Sequence, residues 1–222
     1  MVLLSKEDLK KNEPIREQVA SLIRREIITG NLFPGQQIVE REISEHLETS
    51  TTPVKEAIRV LVAEGLLSSV PRRGTFVSDF AQQNLEQITV MRSALEGVAA
   101  HIATLHFNQL DIAELEIFLK EAEQYLHEGN LEDAVIINTK FHRKIREACN
   151  NHFLIRIIEN LDAYEQEFRY KALKDLEERK KGFLEHKEIL ESIKRVNCEA
   201  VENLMKEHVR RSAHYVMKHE TQ

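Results

Sequence analysis

STTPVKEAIRVLVAEGLLSSVPRRGTFV, residues 50–77, is the stretch whose reading decides the fold. Ser50, Thr51 and Thr52 are good N-cap residues, and Pro53 suits a first helical turn, where its missing N–H costs nothing. Val54, Ala57, Ile58, Leu61 and Val62 then recur at helical spacing until Glu64-Gly65 ends the pattern. Leu66–Val70 and Thr75–Val77 read as two short strands, and Pro71-Arg72-Arg73-Gly74 reads as a basic turn between them.

Upstream, Ile15, Val19, Leu22, Ile23 and Ile27 mark a first helix that ends near Thr29-Gly30. Pro34-Gly35 is a turn, and a short second helix runs from about Glu40 to Leu47 with Ile43 and Leu47 inward. Three helices followed by a basic hairpin make a winged helix-turn-helix. In that arrangement the third helix enters the major groove of DNA, and its free N-terminal N–H groups suit a phosphate.

Downstream, Asp79 to Gln83 is a short polar connection, so the chain divides into a head (1–78), a linker (79–83) and a tail (84–222). Breaks at Phe107-Asn108, Gly129-Asn130, Asn150-Asn151, near Ala172 and at Asn197 divide the tail into six helices, about 84–105, 109–128, 131–149, 152–171, 173–196 and 198–219. The expected fold class is therefore mainly α, a winged head followed by an all-α bundle.

The apolar share of 42% suffices for a packed core. Two cysteines without CxxC spacing, Cys149 and Cys198, make neither a disulfide framework nor a thiolate zinc site, which fits a reducing cytoplasm. No 18-residue apolar run occurs, and Met1 to Leu9 lacks the apolar core of a signal peptide, so neither a membrane span nor export is expected. Net charge is −6, and even residues 1–80 carry 11 Lys/Arg against 12 Asp/Glu. DNA binding must then rest on a local cluster of cations: Arg41, Lys55, Arg59, Arg72 and Arg73.

Asn138 and His142 are four residues apart and project from one helix face. His186 and His208 each lie in a further amphipathic helix. If these helices pack together, three imidazoles and an amide oxygen converge into a transition-metal site with room for a small ligand. The other seven histidines read as packed or surface residues. HExxH, P-loop, GxSxG and GxGxxG patterns are all absent. Glu188 and Glu207 neighbour two of the histidines but point off the metal face, so an enzyme is not expected.

The motifs carry a family resemblance. Ile27 to Gly35 resembles I-x-x-G-x-L-x-P-G, Ser50 to Ile58 resembles S-R-T-P-V-R-E-A-L, and Pro71 to Val77 resembles a wing. Over residues 13–78 the chain is identified as similar to the GntR family of bacterial transcriptional regulators. Over about 84–215 it resembles the FCD ligand-binding domain of the FadR-type branch, through Met91-Arg92-Ser93-Ala94-Leu95-Glu96, Asn138 to His142, His186 to Leu190 and Met205 to His208.

This resemblance implies a homodimeric repressor that binds a palindromic operator. Arg41, Ser50, Thr51, Thr52, Lys55, Arg73 and Gly74 would be its DNA contacts. Thr51 and Lys55 stand where arginines are usual, which implies a different operator or a weaker head. The resemblance also implies a divalent transition metal, zinc or nickel foremost, on Asn138, His142, His186 and His208. Asn138 replaces the usual aspartate; the neutral amide is a weaker donor and leaves the site one charge more positive. Arg92 aligns with an effector-facing arginine, with a helix-surface salt bridge as its alternative role. Two cations would select a small carboxylate. A regulator for which the metal is itself the signal is the alternative reading.

Overall fold

The computed structural model describes residues 14–28 and 31–219. The expected helix end at Thr29-Gly30 and the reading of Met1 to Leu9 lie outside them. The chain forms two compact units, Met1–Leu85 and Glu86–Gln222.

The first unit contains α1 (Ile15–Ile28), β1 (Gln37–Ile38), α2 (Glu40–His46), α3 (Thr51–Ala63), β2 (Leu67–Val70) and β3 (Gly74–Val77). Its core is the apolar stripe read from the sequence: Val19 and Ile23 of α1, Ile43 of α2, and Val54, Ala57 and Leu61 of α3 are all buried. Arg24 of α1 donates a fork of hydrogen bonds to Glu64 at the end of α3, at 2.7 and 3.1 Å. Ser50 holds the extended N-cap position of α3, yet its side chain makes no capping bond.

The sheet order is β1-β3-β2, antiparallel throughout. The hairpin falls where the sequence predicts it. Its turn needs positive φ at Arg72 (62°) and Gly74 (110°). That φ at Gly74 calls for glycine; a Cβ there would also come within 2.7 Å of Gln37 Nε2, the movable end of a side chain. Strand β1 was not expected; two residues are too few to leave an alternating pattern, and Gln37 and Ile38 are recruited by pairing with Phe76 and Thr75.

The second stretch of helices is α4 (Phe80–Thr104), α5 (Gln109–Glu128), α6 (Leu131–Ala148), α7 (His152–Lys174), α8 (Leu176–Lys194) and α9 (Cys198–His219). All six expected helices are present. The expected connection at 79–83 is a correction, because residues 80–83 are already helical. Alanine and glutamine are good helix formers, and polarity alone does not make a loop. The break expected near Ala172 falls at Asp175, whose carboxylate accepts the Glu178 N–H at 2.9 Å and so caps α8. A capping box on Asn108 and Asp111 starts α5, and left-handed Gly129 ends it.

The core of this unit runs through Ala99, Leu115, Phe141, Ile145, Ile158, Ile189, Val201 and Met205. Where α4 meets α9, Gly97 has no side chain, and a Cβ there would lie 2.9 Å from the carbonyl oxygen of Glu202. Nearby, His101 Nδ1 and a Glu202 carboxylate oxygen are 2.8 Å apart. Cys149 and Cys198 are both free thiols. Among the described residues, no helix is long and apolar enough to cross a membrane.

Candidate metal centre and nucleic-acid interface

His142 of α6, His186 of α8 and His208 of α9 converge in the middle of the helical unit and are 3%, 5% and 7% exposed. Their Nε2 atoms form a nearly equilateral triangle, with sides of 3.1 Å (186–208) and 3.2 Å (142–186 and 142–208). Phe141 stacks on the His186 ring at 4.3 Å between centroids and fixes its plane.

The protonation pattern follows from the surroundings. Glu185 Oε2 lies 2.6 Å from His208 Nδ1, and an ionised carboxylate only accepts, so Nδ1 carries a proton and Nε2 is the ring nitrogen turned to the other two imidazoles. Burial, with the nearby charges of His208 and Arg211, holds His186 well below the usual histidine range and keeps it neutral. Glu185 is itself fixed. Burial pushes its carboxyl up, but hydrogen bonds from His208 and Arg211, with their charge, outweigh this and keep it below the usual carboxylate range. Arg211 grips Glu185 with Nε at 2.5 Å and Nη2 at 2.9 Å, and also pairs with Glu178.

This donor set fits a transition metal. An ion bonded to imidazole nitrogens at 2.0–2.1 Å holds them about 2.9 Å apart in octahedral geometry and about 3.3 Å apart in tetrahedral geometry. The observed sides of 3.1–3.2 Å lie between these limits. With a shared cation at the centre, each of the three Nε2 atoms would turn its lone pair inward to the ion. The Glu185–His208 pair is the outer-shell carboxylate that typically orients a ligating imidazole.

Asn138 lies one helical turn before His142 and is half-buried; it lines two small cavities, each of about 40 Å³. One is bounded by Asn138, His142, His208, Arg92 and Arg211. Arg92 is 4% exposed and donates to Glu96 at 3.1 Å; Arg146 lies 3.5 Å from the same carboxylate oxygen. The salt bridge considered for Arg92 is therefore real, but buried, and the residue still borders the cavity.

Sequence reasoning missed the Glu178–Arg211–Glu185 network and the stacking of Phe141. A signal existed: Glu178 and Glu185 are seven residues apart on one face of α8, and Arg211 is one turn beyond His208 on α9.

In the head, Arg41, Ser50, Thr51, Thr52, Lys55, Arg73 and Gly74 are all exposed. Ser50, Thr51 and Thr52 surround the start of α3. Two of the cations already have acidic partners: Arg41 donates to Glu45 at 2.7 Å, and Lys55 lies 3.7 Å from Glu40. Any phosphate contact by either residue competes with these pairs.

Two models of known protein families match the chain. Residues 15–77 match the model for bacterial regulatory proteins of the gntR family, and residues 87–211 match the FCD domain. The HTH-type transcriptional repressor RspR of Escherichia coli is 24% identical over 201 residues, 90% of this chain and 88% of that protein. A probable D-xylose utilization operon transcriptional repressor of Paenarthrobacter nicotinovorans is 34% identical over 142 residues, 64% of this chain and 62% of that protein. The solved structure of E. coli McbR/YncC superposes with a TM-score of 0.73 at 23% identity, covering 94% of this chain and 99% of that one. These relatives are transcriptional regulators rather than enzymes.

Proposed function

The chain belongs to the GntR family of bacterial transcriptional regulators, with an FCD domain after its DNA-binding head, and from that premise we propose that it is a metal-dependent, carboxylate-responsive repressor. Two relatives are named repressors, which supports the sign of regulation. The operating form is a cytoplasmic homodimer whose two-fold symmetry matches a palindromic operator. Ser50, Thr51, Thr52 and Lys55 at the start of α3 contact the major groove, Arg41 a phosphate, and Arg73 with Gly74 the minor groove beside the wing.

His142, His186 and His208 hold the metal, zinc or nickel, and Asn138 offers a fourth, neutral oxygen. The metal supplies a Lewis-acidic point for a carboxylate oxygen. Arg92 borders the adjoining cavity and offers a carboxylate a guanidinium partner in competition with Glu96. An effector that prefers one of two head arrangements lowers DNA affinity through a coupling of about 1–3 kcal/mol.

The observation that carries this reading is the buried triangle of Nε2 atoms. Elemental analysis of the untagged protein tests it, beside a His142→Ala/His186→Ala control. About one transition metal per chain, lost in the control, is expected. A metal-free protein after reconstitution with zinc and with nickel would remove the centre from the reading. In the same preparations, operator binding that follows metal alone, with no carboxylate effect, would make the cation the signal.

A further inference from the structure

One ion pair of the head runs against its own helix. Arg41 sits in the first turn of α2, near the positive end of the helix, and Glu45 sits in the last turn, near the negative end. A pair that stabilises a helix has the acid first and the base after it. The contact is made nevertheless, with Arg41 Nε donating to Glu45 Oε1 at 2.7 Å, and the two side chains are 84% and 60% exposed. A pair so open to water adds little to folding. Its place is on the surface that the head offers to a partner.

The neighbouring cation is arranged alike. Lys55 of α3 lies 3.7 Å from Glu40, the residue that opens α2. Both acids come from α2, whereas the first turn of α3 carries no acid. The acids therefore meet the cations of the head and not the helix end at which a phosphate is favoured. They belong to a unit without net positive charge, 11 Lys/Arg against 12 Asp/Glu over residues 1–80.

Affinity for DNA of arbitrary sequence comes from cations that neutralise phosphates and release counterions. A cation already joined to a carboxylate contributes less. Either the pair stays and the phosphate goes without, or the pair breaks and leaves a carboxylate beside the phosphates that a salt cation must neutralise. Both outcomes lower affinity and flatten its dependence on salt. A pair that is weak in water suits this role, because base contacts elsewhere in the head can outweigh it.

We propose that Glu45 is a positioning residue for DNA recognition, with Glu40 as its weaker counterpart: by holding Arg41 and Lys55, these acids hold down binding to DNA at large. The inference rests on the reading of Arg41 and Lys55 as DNA contacts, and one set of variants separates the two.

The test is fluorescence anisotropy of a labelled mixed-sequence duplex of about 30 base pairs, titrated with the full-length protein between about 50 and 200 mM salt. Wild type is compared with Glu45→Gln, Glu40→Gln, Arg41→Ala, Lys55→Ala and the Arg41→Ala/Glu45→Gln double variant. Glu45→Gln is expected to bind about three- to fivefold more tightly per bound chain at the lowest salt, with a log–log salt slope steeper by about one. Its melting should match that of wild type. Glu40→Gln should move the same way by less, because the 3.7 Å pair is looser. In the Arg41→Ala background the gain from Glu45→Gln should shrink to about half or less, since Glu45 acts through Arg41.

Unchanged affinity and slope in Glu45→Gln, beside an Arg41→Ala variant that binds more weakly than wild type, overturn the inference and leave Arg41 as a DNA contact. An equal gain with and without Arg41 also overturns it, because the carboxylate would then act as bulk charge alone. Wild-type binding by both Arg41→Ala and Lys55→Ala removes the DNA-contact reading and the inference with it.

Discussion

The head and the helical domain use the same kinds of side chain in opposite ways. In the head, the proposed functional residues stand outside the core: Arg41, Lys55 and Arg73 are exposed, and Val54, Ala57 and Leu61 beneath α3 pack without them. In the helical domain, the functional residues are themselves interior. His142, His186, His208 and Arg92 are each at most 7% exposed, and Phe141 belongs to both the core and the histidine cluster. Recognition and stability are therefore separable in the first region and joined in the second.

The strongest way to break this contrast is Phe141→Ala. The ring is 1% exposed, and its removal should destabilise the protein by about 3–5 kcal/mol in denaturant titrations and loosen metal binding at the same time. Full metal affinity in a strongly destabilised variant would separate the two roles. Glu185→Gln is expected to act next most strongly. It keeps the shape but removes the charge that holds His208 and Arg211, and metal affinity measured by chelator competition should fall about 10–100-fold. Unchanged affinity would mean that the carboxylate serves Arg211 alone.

The smallest stability effect belongs to Lys55→Ala, within about 0.5 kcal/mol of wild type. Its operator affinity should nevertheless fall, with the log–log salt slope reduced by about one where the lysine meets a phosphate. Intact DNA affinity in this variant would mean that α3 meets the groove in another register.

The same contrast explains what was legible in the sequence. The head was readable because its signals are local: Pro53 after three capping residues, Gly65 at a helix end, and Arg72 to Gly74 in a hairpin turn. Its one surprise, β1, depends on pairing of Gln37 and Ile38 with residues about 40 positions later. The six helices of the second region were readable from their stops. Phe80 to Gln83 misled because a polar segment without glycine or proline has no intrinsic reason to leave a helix.

In the site, the histidines stood out as residue types, but their partners did not. The Glu185–His208 and Arg211–Glu178 contacts join α8 and α9 across 23 and 33 residues, and no local pattern marks an acid as turned toward a particular imidazole. The burial of Arg179 was silent for a related reason. The charged run Glu177, Glu178, Arg179, Lys180 and Lys181 looks like solvated surface, yet Arg179 is only 9% exposed.

Gly97 gives the α4–α9 crossing a further meaning. It lies five residues after Arg92, and Glu202, which it meets, lies six residues before His208. A single missing methyl group therefore sets the gauge between the helix carrying a cavity cation and the helix carrying a metal ligand. Substitutions among the wall residues change what the chamber prefers, whereas added bulk at this crossing changes its scale. Selection for a longer or shorter ligand thus has a lever that leaves every wall residue untouched.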